Sequence, residues 1–158
     1  MSRAFINITS GLLTMSIIAA AISLSMLRPY VDPVEHECLA MNIYHESRGE
    51  VIEGQIAVAQ VTLNRVEHEY WPDTICDVVY QDKQFSWTFV KKDHTPHDEK
   101  AWKKAKVIAR DVMIGNVEDP TEGAVFYHAT YVNPSWAKTL DISKVIGIHI
   151  FYTWDGTW

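Results

Sequence analysis

Glu37-Cys38-Leu39-Ala40-Met41-Asn42-Ile43-Tyr44-His45-Glu46-Ser47-Arg48-Gly49-Glu50, joined by Val51-Ile52 to Glu53-Gly54-Gln55-Ile56-Ala57-Val58-Ala59-Gln60-Val61-Thr62-Leu63-Asn64-Arg65-Val66, is the stretch whose reading decides the fold. Leu39 and Ile43, and Ala40 and Tyr44, recur four residues apart. Acidic Glu35 and Glu37 open the segment and Gly49 stops it, so the pattern predicts a helix over 35–48. The second run predicts a helix from about Glu53 to Glu69. It is apolar around nearly its whole circumference and therefore central. Gln60, Asn64 and His68 form one polar line along it, facing either hydrogen-bond partners in the core or a cleft. Glu46 sits in the last turn of the first helix, where the negative end of the helix dipole disfavours a carboxylate. A placement this awkward calls for burial or a chemical role.

Outward from this pair, Tyr70-Trp71-Pro72-Asp73 breaks the helical pattern. Thr74 to Val79 reads as a short helix or extended piece, and Gln81 to Trp87 as an aromatic loop. Thr95 as cap, Pro96 at the first position and Asp98 at the third predict a further helix, which runs through Ala101, Ala105, Ile108 and Val112 to Gly115. Two β-like runs follow, 124–132 and 145–154, expected to pair as a hairpin around a loop at 133–136. The predicted class is mainly α with a small β-hairpin.

The chain has 158 residues, 47% of them hydrophobic and 22% charged, which suits one domain with a real core and excludes a disordered or collagen-like chain. A formal charge of -6 argues against binding nucleic acid through bulk charge. Residues 4–27 carry no charge and, as a helix of about 36 Å, would cross a hydrocarbon core of about 30 Å. Half of these positions are Ala, Gly, Ser, Thr or Asn, so the segment is only weakly apolar. Arg3 precedes it, and Asp32, Glu35 and Glu37 follow soon after Arg28, which directs the bulk of the chain outward. Residues 1–30 are thus expected to be a membrane anchor or a cleavable signal, with a buried core helix as the remaining reading. Residues 31–158 form the exported domain, whose charge is about -8 because Arg3 and Arg28 are the only charges before it. Cys38 and Cys76 both fall in that part, where an oxidising compartment permits a disulfide; two unpaired buried thiols are the alternative.

His45-Glu46 lacks the second histidine of a zinc-protease helix, since Gly49 occupies that position. Asp93, His94, His97 and Asp98 complete no metal spacing and read better as turn and capping residues, so neither metal nor cofactor is expected. Phosphate loops and the serine-nucleophile elbow are missing too. What remains is Glu46. A carboxyl partly buried against aromatic groups, with Tyr44 close in sequence, can stay protonated near neutral pH and donate to a glycosidic oxygen.

The two quoted runs, with Trp71-Pro72-Asp73-Thr74-Ile75-Cys76-Asp77-Val78-Val79, Gln84-Phe85-Ser86-Trp87, Gly123-Ala124-Val125-Phe126-Tyr127-His128, Trp136 and Ile146-Gly147-Ile148-His149-Ile150-Phe151-Tyr152, resemble the SleB-type cell wall hydrolases, the spore cortex-lytic enzymes among them. The resemblance covers most of residues 36–154 in order. It implies a lysozyme-like, lytic transglycosylase-like fold, peptidoglycan as partner, and Glu46 as the catalytic acid at the bond between N-acetylmuramic acid and N-acetylglucosamine. In a lytic transglycosylase the sugar's own 6-hydroxyl attacks, so no second carboxylate is required, whereas ordinary glycosidases use a pair. Gln84, Phe85, Ser86, Tyr127, His128 and His149 match other segments of the family pattern and are expected to line the cleft, together with Tyr44, Gln60 and Asn64. A small catalytic domain behind a weakly apolar segment resembles the signal-anchor-release endolysins of phages, acting as a monomer. The alternatives are a non-catalytic wall-binding or lysis-accessory protein and a peptidoglycan amidase.

Overall fold

Asp32 begins the first helix. Its carboxylate accepts from the backbone N–H of Val34 (2.8 Å) and Glu35 (3.2 Å), and Pro33 takes the first helical position, where its missing N–H costs nothing. In this computed structural model, which describes residues 29–90 and 92–157, the helix is α1, Pro33–Ser47, two residues longer at its start than expected. The others are α2 (Ile52–Val66), α3 (Ile75–Tyr80), α4 (Ser86–Val90) and α5 (Glu99–Met113). Residues 31–158 form one compact unit. The expected anchor or signal at 4–27 lies outside the described residues. Among those described, no helix is long and apolar enough to cross a membrane.

The central helix is α2, as its all-round apolarity predicts. Ala57, Val58, Ala59 and Val61 are fully buried, and α1, α3 and α5 pack against it. The main core joins Leu39, Ala40 and Ile43 of α1 to Ala59, Val79, Phe85, Trp87 and the inward face of α5. Inside it, the Asn42 amide donates to Thr62 (3.2 Å) and accepts from the Trp87 indole (3.1 Å), so this fully buried amide has partners on both sides. Cys38 and Cys76 are joined by a disulfide that ties α1 to α3.

Thr74 caps α3 by accepting from the Asp77 N–H (3.1 Å), so the ambiguous 74–79 segment is helical. Part of the expected aromatic loop, from Ser86 onward, is the short helix α4. The start of α5 differs from expectation. Asp98, not Thr95, is the cap: its carboxylate accepts from the Ala101 N–H (3.0 Å), and its own N–H donates to the Tyr44 hydroxyl (3.0 Å). Thr95 instead closes a turn on Asp93 (2.8 Å). A tertiary contact with α1 therefore displaced the helix start by three residues.

The sheet also departs from the expected hairpin. It has three antiparallel strands in the order β1-β3-β2: β1 Phe126–Ala129, β2 Asp141–Ile146 and β3 His149–Thr153. The run at 145–154 is not one strand but the end of β2, a tight turn at Gly147-Ile148, and β3. Gly147 has φ +58°, the left-handed region that glycine favours, and the turn reverses the chain there. β1 pairs with β3, setting Tyr127 opposite Phe151. The expected loop after β1 contains a 3-10 turn, Ser135–Thr139.

Candidate active site

Three elements meet at the end of α1. Glu46 occupies the last turn and is partly buried. From β1, the Tyr127 hydroxyl donates a hydrogen bond of 3.1 Å to Glu46 Oε2. From α2 comes Arg65, only 5% exposed, whose charge acts on both Glu46 and Tyr127. The hydroxyl donor and the cation together answer the awkward location of an acid at a helix C-terminus.

Tyr127 stands against Phe151 (5.6 Å between ring centres) and edge-on to His149 (5.2 Å). Burial, then the Glu46 charge and hydrogen bond, push its phenol well above the ordinary value, against an opposing pull from Arg65. It therefore remains protonated and a donor at any neutral pH. Arg65 Nε donates to the Val125 carbonyl (2.8 Å), and the guanidinium lies 5.4–5.9 Å from the ring centres of Phe85, Trp71 and Phe126. Burial lowers its pKa to about 10, with Tyr127 and Glu46 opposing the drop, so it stays cationic at neutral pH.

His149 is 6% exposed. Burial lowers its pKa, the Glu50 charge opposes this and His128 adds to it, so the ring is neutral at pH 7. Glu50 itself reaches the β2–β3 turn, where Oε2 accepts from the Ile148 N–H (3.1 Å).

Other expected site residues lie in the scaffold. Tyr44 is two residues from Glu46, about 200° around the helix, so its ring faces the core. Its hydroxyl accepts from Asp98 N–H, and Trp102 meets it edge-on. The aromatic neighbour of Glu46 is Tyr127, not Tyr44. Phe85 is 2% exposed in the core, beneath Arg65. The Asn64 amide is committed to the Asp119 carboxylate (3.0 Å) and the Ala124 carbonyl (2.9 Å), fixing the loop before β1. His128 points to the face of β1 opposite Tyr127. There it bonds the Ala129 carbonyl (2.9 Å) and the Tyr152 hydroxyl (2.8 Å). Because a carbonyl only accepts, Nδ1 is the donor to Ala129.

Gln60 is buried, Gln84 is partly buried, and Ser86 is exposed. The structure thus brings Glu46, Tyr127 and His149 together. Arg65 and Glu50 were missed as site residues, although a charge inside an apolar helix (Leu63-Asn64-Arg65-Val66) was a readable signal for the first. A separate cavity of about 370 Å³, lined by Asp141, Thr153, Trp154 and Asp155 among others, includes neither Glu46 nor Tyr127. Among the described residues, no three His, Cys, Asp or Glu side chains are grouped to hold a metal ion; Asp93 and Asp98 serve the turn and cap before α5.

Curated relatives include spore cortex-lytic enzymes of Oceanobacillus iheyensis, 31% identical over 73% of this chain and 40% of the relative, and of Bacillus cereus, 35% identical over 73% and 42%. The chain thus spans about two-fifths of their length. Among solved structures, the catalytic domain of the germination-specific lytic transglycosylase SleB from Bacillus anthracis is 30% identical and has a TM-score of 0.65, covering 80% of this chain and 100% of that one. The catalytic domain of the Bacillus cereus SleB protein gives 31%, 0.62, 79% and 94%. This is the lysozyme-like, helix-rich architecture with a minor sheet that the resemblance implied. The cell wall hydrolase family pattern matches residues 49–152, which include Arg65, Tyr127 and His149 and begin three residues after Glu46. On that match and the shared catalytic-domain fold, the chain belongs to the cell wall hydrolase family.

Proposed function

We propose that this chain is an exported enzyme that cleaves peptidoglycan glycan strands between N-acetylmuramic acid and N-acetylglucosamine, with Glu46 as general acid and then base. The observation that carries the reading is the Glu46 carboxyl held by the Tyr127 hydroxyl beside buried Arg65, in a chain matching the whole length of a solved domain described as a lytic transglycosylase. Glu46 gives its proton to the glycosidic oxygen and the bond to C1 breaks. The 6-hydroxyl of the same muramic acid then bonds to C1 and returns its proton to Glu46, leaving a 1,6-anhydro end. Tyr127, which cannot ionise at neutral pH, fixes the rotation of the carboxyl through both proton transfers. Gln60, Gln84, Ser86 and His149 are the substrate contacts in this reading.

The weakly apolar residues 4–27 tether the chain to the membrane and later release it, in the manner of a signal-anchor-release endolysin that lyses the wall as a monomer. Digestion of purified peptidoglycan by the wild type and E46Q, followed by mass spectrometry, tests the chemistry. Anhydro-muropeptides from the wild type and none from E46Q are expected. A hydrated reducing end would identify a muramidase. Lysis by E46Q equal to wild type, freed stem peptides alone, or binding without any cleavage would overturn the proposal.

A further inference from the structure

Glu50 joins two segments that each carry a site residue. It follows Glu46 by four positions, in the link between α1 and α2, and its backbone is held on both sides. The N–H donates to the Ser47 carbonyl (2.9 Å), and the carbonyl accepts from the buried Gln55 amide (2.8 Å). From this fixed base the carboxylate crosses to the β2–β3 turn, where Oε2 accepts from the Ile148 N–H (3.1 Å). Two glycines leave room for it: a Cβ on Gly54 would lie 3.2 Å from the Glu50 Cβ, and one on Gly147 would meet Oε2 itself. The Ile148 carbonyl in turn accepts from the Thr130 N–H, just beyond β1 (2.7 Å). Residue 148 is therefore pinned from both sides, and the next residue is His149, the first of β3. The His149 ring stands edge-on to Tyr127 at 5.2 Å, and its Nδ1 is buried with no hydrogen-bond partner among the described residues. A ring nitrogen without a partner does not fix its own ring, so the placement of His149 depends on packing and on the backbone that carries it.

We propose that Glu50 is a positioning residue that fixes the β2–β3 turn through the Ile148 N–H and thereby holds His149 in place to contact the glycan strand. The inference rests on the reading of His149 as a substrate contact. The action of Glu50 is geometric rather than electrostatic. Burial keeps the His149 ring neutral at pH 7 against the pull of the Glu50 charge, so removing that charge leaves the ring in the same state. What the carboxylate supplies is an acceptor on a fixed base. Without it the Ile148 N–H loses its partner, and the turn is free to pivot at Gly147, whose φ of +58° only glycine adopts readily. The link that carries Glu50 begins at the end of α1, so one side chain sets the substrate contact on β3 in register with the helix that bears Glu46. A contact of this kind is made with bound substrate and transition state alike, so its loss raises KM and leaves kcat nearly unchanged.

The experiment measures kcat and KM of E50A, E50Q, H149A and the double variant E50A/H149A in the full-length chain with purified peptidoglycan as substrate, with folding checked by circular dichroism and melting. H149A is expected to raise KM roughly 3- to 10-fold, the loss of one neutral hydrogen bond. E50A should raise KM to a similar degree, and the double variant no further than H149A, because the effect of Glu50 passes through His149. E50Q keeps an acceptor for the Ile148 N–H and should stay within about twofold of the wild-type KM. If H149A fails to fold, the contrast between E50A and E50Q still decides. A lower melting temperature of E50A with wild-type KM would make Glu50 merely structural and overturn the proposal. So would a rise in E50A that adds in full to that of H149A, or E50Q as impaired as E50A. A kcat of E50Q as low as that of E46Q would also overturn it, by making Glu50 a catalytic group. Raised KM in H149A beside wild-type KM in E50A would defeat the role of Glu50 alone. Wild-type KM in folded H149A would defeat the reading of His149 beneath it.

Discussion

Replacing Tyr127 by Phe removes one atom from the site: the oxygen that donates to Glu46 Oε2 at 3.1 Å. The ring remains, so its packing against Phe151 and His149 is kept. A hydrogen bond to an ionised group contributes about 1.5–3 kcal/mol. The distance is long for an O–H donor on a carboxylate, which normally lies at about 2.5–2.7 Å, so the lower end of about 1.5–2 kcal/mol applies. At 1.4 kcal/mol for each factor of ten, roughly 10- to 30-fold of kcat should disappear. The melting temperature should move by less than about 4 °C, the equivalent of about 1 kcal/mol in a domain of this size.

The assay is the rate of soluble muropeptide release from purified peptidoglycan, measured between pH 5 and 9 with melts of both proteins. Burial and the Glu46 charge raise the Tyr127 pKa well above 10. The neutral phenol is thus the form the fold favours, and its contribution to stability is whole below the unfolded value near 10 and falls only as pH rises past it. The Y127F defect should accordingly be constant across the whole range. A folded Y127F with kcat within twofold of wild type, or a defect that vanishes toward pH 9, would refute the assignment of Tyr127 as the fixed donor.

Two structural predictions complement it. A Cβ on Gly147 would lie 2.0 Å from Glu50 Oε2, and the residue has φ +58°, so G147A must both strain the turn, at about 1 kcal/mol, and expel the carboxylate from the Ile148 N–H, at about 1 kcal/mol more. Urea unfolding should show a loss of about 2 kcal/mol, falling to about 1 kcal/mol when the change is made in E50A; strictly additive losses would mean that the two residues do not meet. The Cys38–Cys76 bond closes a loop with a sequence separation of 38, for which chain entropy gives about 4 kcal/mol. The double variant C38A/C76A should melt roughly 15 °C lower, and an unchanged melting temperature would contradict a disulfide in the folded chain.

Local signals carried much of the fold. The three long helices were legible because each buries apolar residues whose spacing is set by 3.6 residues per turn, and Pro33, Gly49 and Gly115 mark both ends of α1 and the end of α5. The start of α5 was not, because two competing caps, Thr95 and Asp98, stand three residues apart and the Tyr44 hydroxyl decides between them. The sheet was misread for a related reason. β2 is largely exposed, with a register shift between Ile142 and Lys144 that erases the alternation by which a strand is recognised. Its neighbour β3 was therefore merged with the turn that separates them.

By itself the sequence determined the helical class, the two cysteines available for pairing, the uncharged N-terminal stretch, and the oddity of an acid in the last turn of α1, since these depend only on residue type and periodicity. Which side chains surround that acid was decided in three dimensions. Tyr44, its near neighbour along the chain, is turned into the core by the helix. Tyr127, 81 residues away, reaches it because β1 pairs with β3, and Arg65 lies near both because α2 runs through the centre. Helical geometry separates residues two apart, whereas sheet pairing and burial bring distant ones together, so the partners of Glu46 exist only in the folded chain.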